Sequence, residues 1–304
     1  MNNKNLITKL FQQYVHSKDI RSFKRNFFYY FFYRFSRLFL NEPIKIKINN
    51  LNLYSSHQKN KTSHSLIQKC DFFDVSEINM IKKLNSFYKI FMVDCGCNFG
   101  FYSLFTASLS KDNRIISIEA SRSTLEELNK NLIINNFKNI KVMNKAVMDV
   151  DNKKLFFNES EKDWESSLVS KKFIIKKKIE IETVTIDKTL VGENLDNKLL
   201  ILKIDVEGVD FNVLEGAKNN IKINKPLIII EFSKYIFKNE KFNYQYLNNF
   251  LKTHNYQIFG KKGEKYSISE ILNLLENLDK AHDTIGNYYL ISNNRKEISQ
   301  KIFN

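Results

Sequence analysis

The stretch Phe91-Met-Val-Asp94-Cys-Gly96-Cys-Asn98-Phe-Gly100 is an apolar run that closes on an acid and a turn of small residues. It reads as a strand feeding a helix through a ligand-holding loop. Tyr88 to Val93 are mostly apolar and β-favouring, as suits a central parallel strand covered on both faces. Gly96 and Gly100 allow close backbone approach, and Phe101 to Leu109 continues with helical spacing. The helix N-terminus then faces the crevice at the carboxyl end of the strand.

Two nucleotide-binding folds share this outline. A dinucleotide fingerprint is G-x-G-x-x-G, whose glycines let the backbone touch a pyrophosphate. Here Asn98 takes the middle position, no glycine follows at the third, and Asp94 sets a carboxylate just before the first. That charge repels a pyrophosphate but attracts the ammonium of a methionine moiety, whose carboxylate Asn98 can hydrogen-bond. About twenty residues on, the spacing of a ribose-diol acceptor, Arg114-Ile-Ile-Ser-Ile-Glu119 ends in an acid. Asp94 and Glu119 together point to S-adenosylmethionine as cofactor, with Gly96, Asn98 and Gly100 forming the loop around it. Asp149, closing Ala146-Val-Met-Asp149, is placed to accept from an adenine amino group, although a surface turn would carry an acid there equally well.

Composition bounds the partners. The chain has 304 residues, 43% hydrophobic and 13% aromatic, enough for one α/β domain with an N-terminal extension or for two small domains. A net charge of +15 would suit a polyanion such as nucleic acid, an anionic glycolipid or a membrane surface. The lysines are scattered in short pairs such as Lys82-Lys83 and Lys261-Lys262, however, and Asn, Ile, Phe and Tyr are abundant beside 2 Pro and 8 Gly. That is the bias of an AT-rich genome, so the charge is not read as a nucleic-acid footprint. Cys70, Cys95 and Cys97 are too few for a disulfide framework and lack zinc-site spacing. Cys95 and Cys97 flank Gly96, where small side chains fill space. Met1 to Leu10 is polar without an apolar signal core, so a cytoplasmic enzyme is expected.

In chain order, residues 5 to 18 have the spacing of an amphipathic helix, and a second helix is expected over 20 to 40. Its aromatic middle, Asn26 to Tyr33, is bounded by Arg21, Lys24 and Arg25 on one side and Arg34 and Arg37 on the other. It is too short to span a bilayer. Such a segment suits peripheral contact at the inner face of a membrane, and equally suits packing on the catalytic domain or a second subunit. After Pro43, Ile44 to Ile48 alternates and turns at Asn49-Asn50 into Leu51 to Tyr54, an exposed hairpin. The polar segment 57 to 75, with His57, His64 and Asp71, could lie over the active site. A βα rhythm then begins with a helix from Glu77 and is interrupted over 153 to 186 by an inserted hairpin, whose polar loop holds Trp164, Ser166 and Ser167. These boundaries divide the chain into a helical extension (1–42), a hairpin and substrate-side segment (43–76), the catalytic domain (77–292) and a tail (293–304). The expected architecture is α/β: a Rossmann-like, mostly parallel seven-stranded sheet closed by an antiparallel edge pair.

Lys203-Ile-Asp205-Val-Glu207-Gly208 puts two carboxylates just past the fourth strand, and Glu231 ends its neighbour. Asp205, Glu207 and Glu231 are the catalytic candidates, because they converge where a substrate must approach the methyl group. No Asp/Asn-Pro-Pro-aromatic run is present for transfer to a base amino group, and no cysteine here for C5 methylation.

These residues carry a family resemblance. The set Asp94-x-Gly96-x-Asn98-x-Gly100, Glu119, Ala146-Val147-x-Asp149, Ser166-Ser167, Thr185-Ile186-Asp187, Lys203 to Gly208 and Glu231, with Glu77 before the first strand and Asn287 opening the last, resembles the FkbM family of S-adenosylmethionine-dependent methyltransferases. The likeness covers about residues 70 to 292, and Cys97 stands where the family usually has Ala. It implies the class I methyltransferase fold and O-methylation, commonly of sugar hydroxyls in glycans or of secondary-metabolite hydroxyls. A hydroxyl of a surface glycan or glycolipid precursor is therefore the expected acceptor. Asp205 is the first candidate for general base, with Glu207 and Glu231 binding neighbouring hydroxyls and Lys203 orienting the acids. A divalent metal on Asp205 and Glu231 is compatible with oxygen ligands, but no metal ligand set is assigned. Two rivals stay open: an RNA methyltransferase exploiting the positive charge, and a non-catalytic membrane-attached scaffold with a relic cofactor fold. A homo-oligomer is compatible with either.

Overall fold

The computed structural model describes residues 3–36, 43–55, 61–160, 175–238, 243–279 and 283–304. The extension opens with α1 (Asn3–His16), a 3-10 turn at Ile20–Phe23 and α2 (Phe27–Ser36). The helix expected over 20–40 is thus broken near its start. Asp19 caps the 3-10 turn by accepting from the Arg21 N–H at 2.9 Å, and Arg25, at φ 64°, redirects the chain before α2. Residues 37–42 lie outside the described residues. The α2 aromatics divide by face: Tyr29 and Tyr33 join Phe11, Val15 and Ile20 in the core shared with the main sheet, whereas Phe27, Phe28 and Phe31 face outward.

Strands β1 (Ile44–Ile48) and β2 (Leu51–Ser55) pair antiparallel about Asn49, whose φ of 55° suits the turn. The hairpin is not exposed as expected. Ile44, Ile46, Ile48, Leu51 and Leu53 are buried, so the apolar face of the alternation packs inward. Helix α3 (Lys61–Lys69) takes up the middle of the segment expected to lie over the active site, and the segment's end, Phe73 and Asp74, lines the cavity there. His64 is buried and shares a 2.6 Å hydrogen bond with the Tyr33 hydroxyl, and Asp71 pairs with Lys24. Both residues serve the extension rather than the active site, and His57 lies outside the described residues.

From α4 (Val75–Asn85) the βα rhythm runs as read: β3 (Lys89–Cys95), α5 (Phe101–Leu109), β4 (Arg114–Ile118), α6 (Arg122–Asn135) and β5 (Ile140–Met143). A side sheet follows, in which β6 (Ala146–Val147) pairs parallel with β8 (Ile175–Val184), and β8 pairs antiparallel with β7 (Lys154–Ser160). The inserted hairpin is therefore present, while Trp164, Ser166 and Ser167 lie outside the described residues. The chain continues through α7 (Ile186–Thr189), β9 (Lys198–Ile204), α8 (Asp210–Glu215), α9 (Lys218–Asn224), β10 (Leu227–Ser233), α10 (Tyr244–His254), β11 (Tyr256–Phe259), β12 (Lys265–Tyr266), α11 (Ile268–Glu276), β13 (Thr284–Ser292) and α12 (Lys296–Phe303).

The main sheet has the order β12-β11-β13-β10-β9-β3-β4-β5. The five strands from β10 to β5 are mutually parallel, and β13 enters antiparallel between β10 and β11. This is the expected seven-stranded sheet with its antiparallel pair, extended at the edge by the two-residue β12. Leu199 to Leu202 and Leu227 to Ile230 are buried without alternation, as strands covered by helices on both faces must be. The order reverses between β3 and β9. A crevice at the carboxyl ends of the strands is the consequence.

Candidate active site

The loop after β3 is wedged between two strand ends. Gly96 and Cys97 donate to the Ile118 carbonyl at 2.9 and 3.1 Å, and Asp205 donates to the Cys95 carbonyl at 3.1 Å. Gly96 has φ 74°, and a Cβ there would collide with the Asp205 carbonyl oxygen, so only glycine fits. Gly100, at φ 83°, abuts the Leu128 side chain and lets α5 start against α6.

Two acids are buried around this loop. Asp94 Oδ2 accepts from Ser103 Oγ at 2.6 Å and from the Ser103 N–H at 3.1 Å. Burial outweighs these bonds and pushes its pKa up to about 6. Glu119, 8% exposed, accepts from the Ser121 N–H at Oε1 and the Asn98 N–H at Oε2, each at 2.8 Å. Burial again dominates and pushes its pKa up to about 7. Asn98 sits at φ 51°, and its side-chain oxygen accepts from the Phe99 N–H at 2.7 Å, which fixes the turn. Cys95 and Cys97 are buried thiols whose pKa values burial raises, consistent with packing.

A cavity opens at the switch point, lined by Asp94, Gly96, Asn98 and Glu119 together with Asp205 and Glu207. Phe73, Phe99, Phe101 and Phe157 give it apolar walls, and Lys145, Ala146 and Val147 line the stretch next to the side sheet. Asp149 is not among the lining residues. The backbone at Met148 is held by β8 through the Val184 carbonyl at 3.0 Å and pressed against Gly216, and the Asp149 carboxylate accepts from Asn212 Nδ2 at 3.0 Å. It borders a separate surface depression with Asp151 and Asp187 rather than the cavity at the switch point.

The three catalytic candidates do meet. Asp205, Glu207 and Glu231 present carboxylate oxygens that all lie within 4.8 Å of one another, although Glu231 stands beside the cavity rather than lining it. Burial and the charges of Asp205 and Glu207 push the Glu231 pKa up. Lys203, buried at 1% exposure, sets its ammonium 3.0 Å from Asp205 Oδ2. Burial opposes that charge, but Asp205, Asp74 and Glu231 outweigh it and hold the lysine protonated. The loop carrying Glu207 (φ 57°) and Gly208 (φ 112°) is pinned by Asp210, which accepts from the Val206 and Gly208 N–H groups at 3.3 and 3.0 Å. Three such carboxylates have the oxygen donors a divalent cation takes, and Lys203 supplies a positive charge beside Asp205.

Some of the lining gave no signal in the sequence. Asp74 lies at the start of α4 with φ 54° and accepts from the Tyr102 hydroxyl at 2.7 Å, and the Tyr102 ring centroid is 5.3 Å from the Lys203 ammonium. Phe73 and Phe157 also escape motif reading, since nothing marks an aromatic residue as a cavity wall.

The sheet order is that of the class I methyltransferase fold, with the acids around the Gly96 loop in its switch-point crevice. The model of the FkbM methyltransferase domain matches residues 94–258, and the chain belongs to that family. Among solved structures it is similar to the methyltransferase FkbM of Methylobacillus flagellatus KT, at 21% identity over 67% of this chain and 43% of that one, with a TM-score of 0.40. The chain thus spans less than half the length of that protein. It is also similar to precorrin-6y C5,15-methyltransferase of Geobacter metallireducens GS-15 (11% identity, 72% and 88% covered, TM-score 0.38). A third likeness is to M. jannaschii TYW2 in complex with AdoMet (11% identity, 82% and 84% covered, TM-score 0.38). No curated protein matches the chain. Among the described residues no helix is long and apolar enough to cross a membrane.

Proposed function

We propose that the protein methylates a hydroxyl group, of a sugar in a glycan or glycolipid precursor, with S-adenosylmethionine held by Asp94, Gly96, Asn98 and Glu119. The donor set supports this cofactor: a carboxylate for its ammonium, a second for its ribose diol, a glycine whose positive φ sets the turn of the loop between them and aromatic walls for the adenine ring. When bound, the cofactor supplies an electrophilic methyl group on a sulfonium. The protein's own residues position the acceptor and take its proton. Asp205 and Glu207 lie on the cavity wall and can accept from neighbouring hydroxyls, which orients the acceptor oxygen for in-line attack. Asp205 is the base for the departing proton, Lys203 fixes the carboxylate that receives it, and Glu231 stands ready as a second acceptor.

The observation that carries this proposal is the convergence of Asp205, Glu207 and Glu231 within 4.8 Å beside the Gly96 loop. Transfer of labelled methyl from S-adenosylmethionine to a panel of glycans, free sugars and RNA tests it. Base-labile or RNA-bound label in place of alkali-stable sugar ethers would overturn the acceptor class. With the accepted substrate in hand, Asp205→Asn should lower turnover by about 10²–10⁴ while cofactor affinity stays. Near-normal turnover would remove Asp205 as base.

A further inference from the structure

We propose that α2 is a docking face for an anionic lipid bilayer. Phe27, Phe28 and Phe31 are 77%, 77% and 67% exposed. Phe31 is four residues beyond Phe27 and three beyond Phe28, so it neighbours both on the outer side of the helix. Large aromatic side chains left this bare on adjacent turns mark an interaction surface, since isolated exposed apolar residues are ordinary but clusters are not. The exposure is not loose packing. The opposite face of the same helix is locked, with Tyr29 and Tyr33 buried and the Tyr29 hydroxyl donating to the Ile67 carbonyl at 2.6 Å.

Charge selects the partner. Residues 3 to 36 contain seven Lys and Arg and one acid, Asp19, which is held by Arg21 at 2.7 Å. Arg25 and Arg34, both exposed, bracket the three phenylalanines, and Arg34 stands three residues beyond Phe31 on the same side. Helix α1, packed on α2, adds exposed Leu6, Leu10 and Lys9. Aromatic rings at the depth of lipid headgroups, ringed by cations that meet anionic phosphates, are the chemistry of an interfacial helix. Protein interfaces are depleted in lysine, whereas this segment also carries Lys4, Lys9 and Lys18, which anionic headgroups attract as they do arginine. This inference stands apart from the acceptor proposal, because it uses no residue of the active site.

Sedimentation of the full chain with vesicles tests it. The protein should pellet with equal parts of phosphatidylglycerol and phosphatidylcholine, bind pure phosphatidylcholine about tenfold or more weakly, and lose binding as salt rises. Phe27→Ser, Phe28→Ser and Phe31→Ser combined should lower partitioning by about tenfold or more, with an unchanged melting curve because the three rings contribute little to the core. Arg25→Glu with Arg34→Glu, which leaves the rings in place, should lower it by a similar factor. Equal pelleting of wild type and both variants, or no pelleting of the wild type, overturns the proposal. A wild-type dimer that the phenylalanine variant makes monomeric, without vesicle binding, also overturns it and assigns the face to a second copy.

Discussion

The Lys203 ammonium lies 3.0 Å from the Asp205 carboxylate while the lysine itself is 1% exposed and its partner 38% exposed. The two stand two residues apart along the end of β9 and project to the same side. Across β3, Lys203 is also in register with Asp94. One buried cation thus sits among the acids of the cofactor loop and the acids of the acceptor side. Lys203→Met should remove that compensation and destabilise the protein by about 3 kcal/mol, near the low end for breaking a buried pair because Asp205 is partly screened by solvent. Urea titration measures it, and a change below about 0.5 kcal/mol would show that the acids find other compensation.

The two loop glycines should respond differently to a methyl group. At Gly96 the collision is with backbone, the Asp205 carbonyl, whereas at Gly100 it is with the Leu128 side chain. Gly96→Ala should therefore abolish S-adenosylmethionine binding and cost about 3 kcal/mol or more, whatever accompanies it. Measured against Leu128→Ala alone, which carries the cavity cost of truncating a buried leucine, adding Gly100→Ala should cost only the strain of positive φ, about 1 kcal/mol. Calorimetric affinities and thermal melts of the two glycine variants, Leu128→Ala and the double variant check this, and equal damage at both glycines would contradict it.

Glu119 couples stability to pH. Its ordinary value is 4.5, and the fold raises it to about 7, so the folded chain holds a proton that the unfolded chain has released. The stability this gives is full below the unfolded value and is lost as pH rises through about 7. Between about pH 5 and pH 7.5 the ligand-free wild type should therefore lose up to about 3 kcal/mol relative to Glu119→Gln. Asp210, also raised, acts in both proteins and cancels in the comparison, while Asp94, whose charge contributes to the Glu119 shift, cancels only in part. Denaturant titrations at several pH values give the difference, and parallel curves would refute a raised Glu119.

Neighbouring aromatics on α2 should differ sharply. Tyr29 is fully buried, stacks with Tyr33 at 6.2 Å between centroids and belongs to the core shared with the main sheet. Tyr29→Ala should cost about 3–5 kcal/mol, as large-to-small core changes do. Phe28→Ala, one residue before it, should change stability by less than about 0.5 kcal/mol. Similar losses at both positions would mean that α2 is packed on all sides.

By itself the sequence determined the elements whose signal is local. The apolar run into Asp94, the helix after Gly100, the acid at Glu119 and the pair of clean strands ending at Asp205 and Glu231 were legible because buried parallel strands must be continuously apolar and tight turns need glycine. Those rules act within a few residues, and the order of strands around a switch point follows from chain connectivity. Tertiary structure alone decided which side chains share a space. Asp149 has the spacing of a cofactor contact, but the pairing of β6 with β8 and the close approach of Gly216 turn it to Asn212. Phe73, Asp74 and Tyr102 come to the cavity and its lysine through the positive φ of Asp74 and the packing of α4 on α5, neither of which leaves a mark in composition. The aromatic run of α2 was visible as a run, yet its division into a buried face at Tyr29 and Tyr33 and a bare face at Phe27, Phe28 and Phe31 required the broken helix and the core behind it. Period and propensity fix which residues are neighbours along one element; contact between elements depends on where the chain returns, and that is decided by packing over the whole fold.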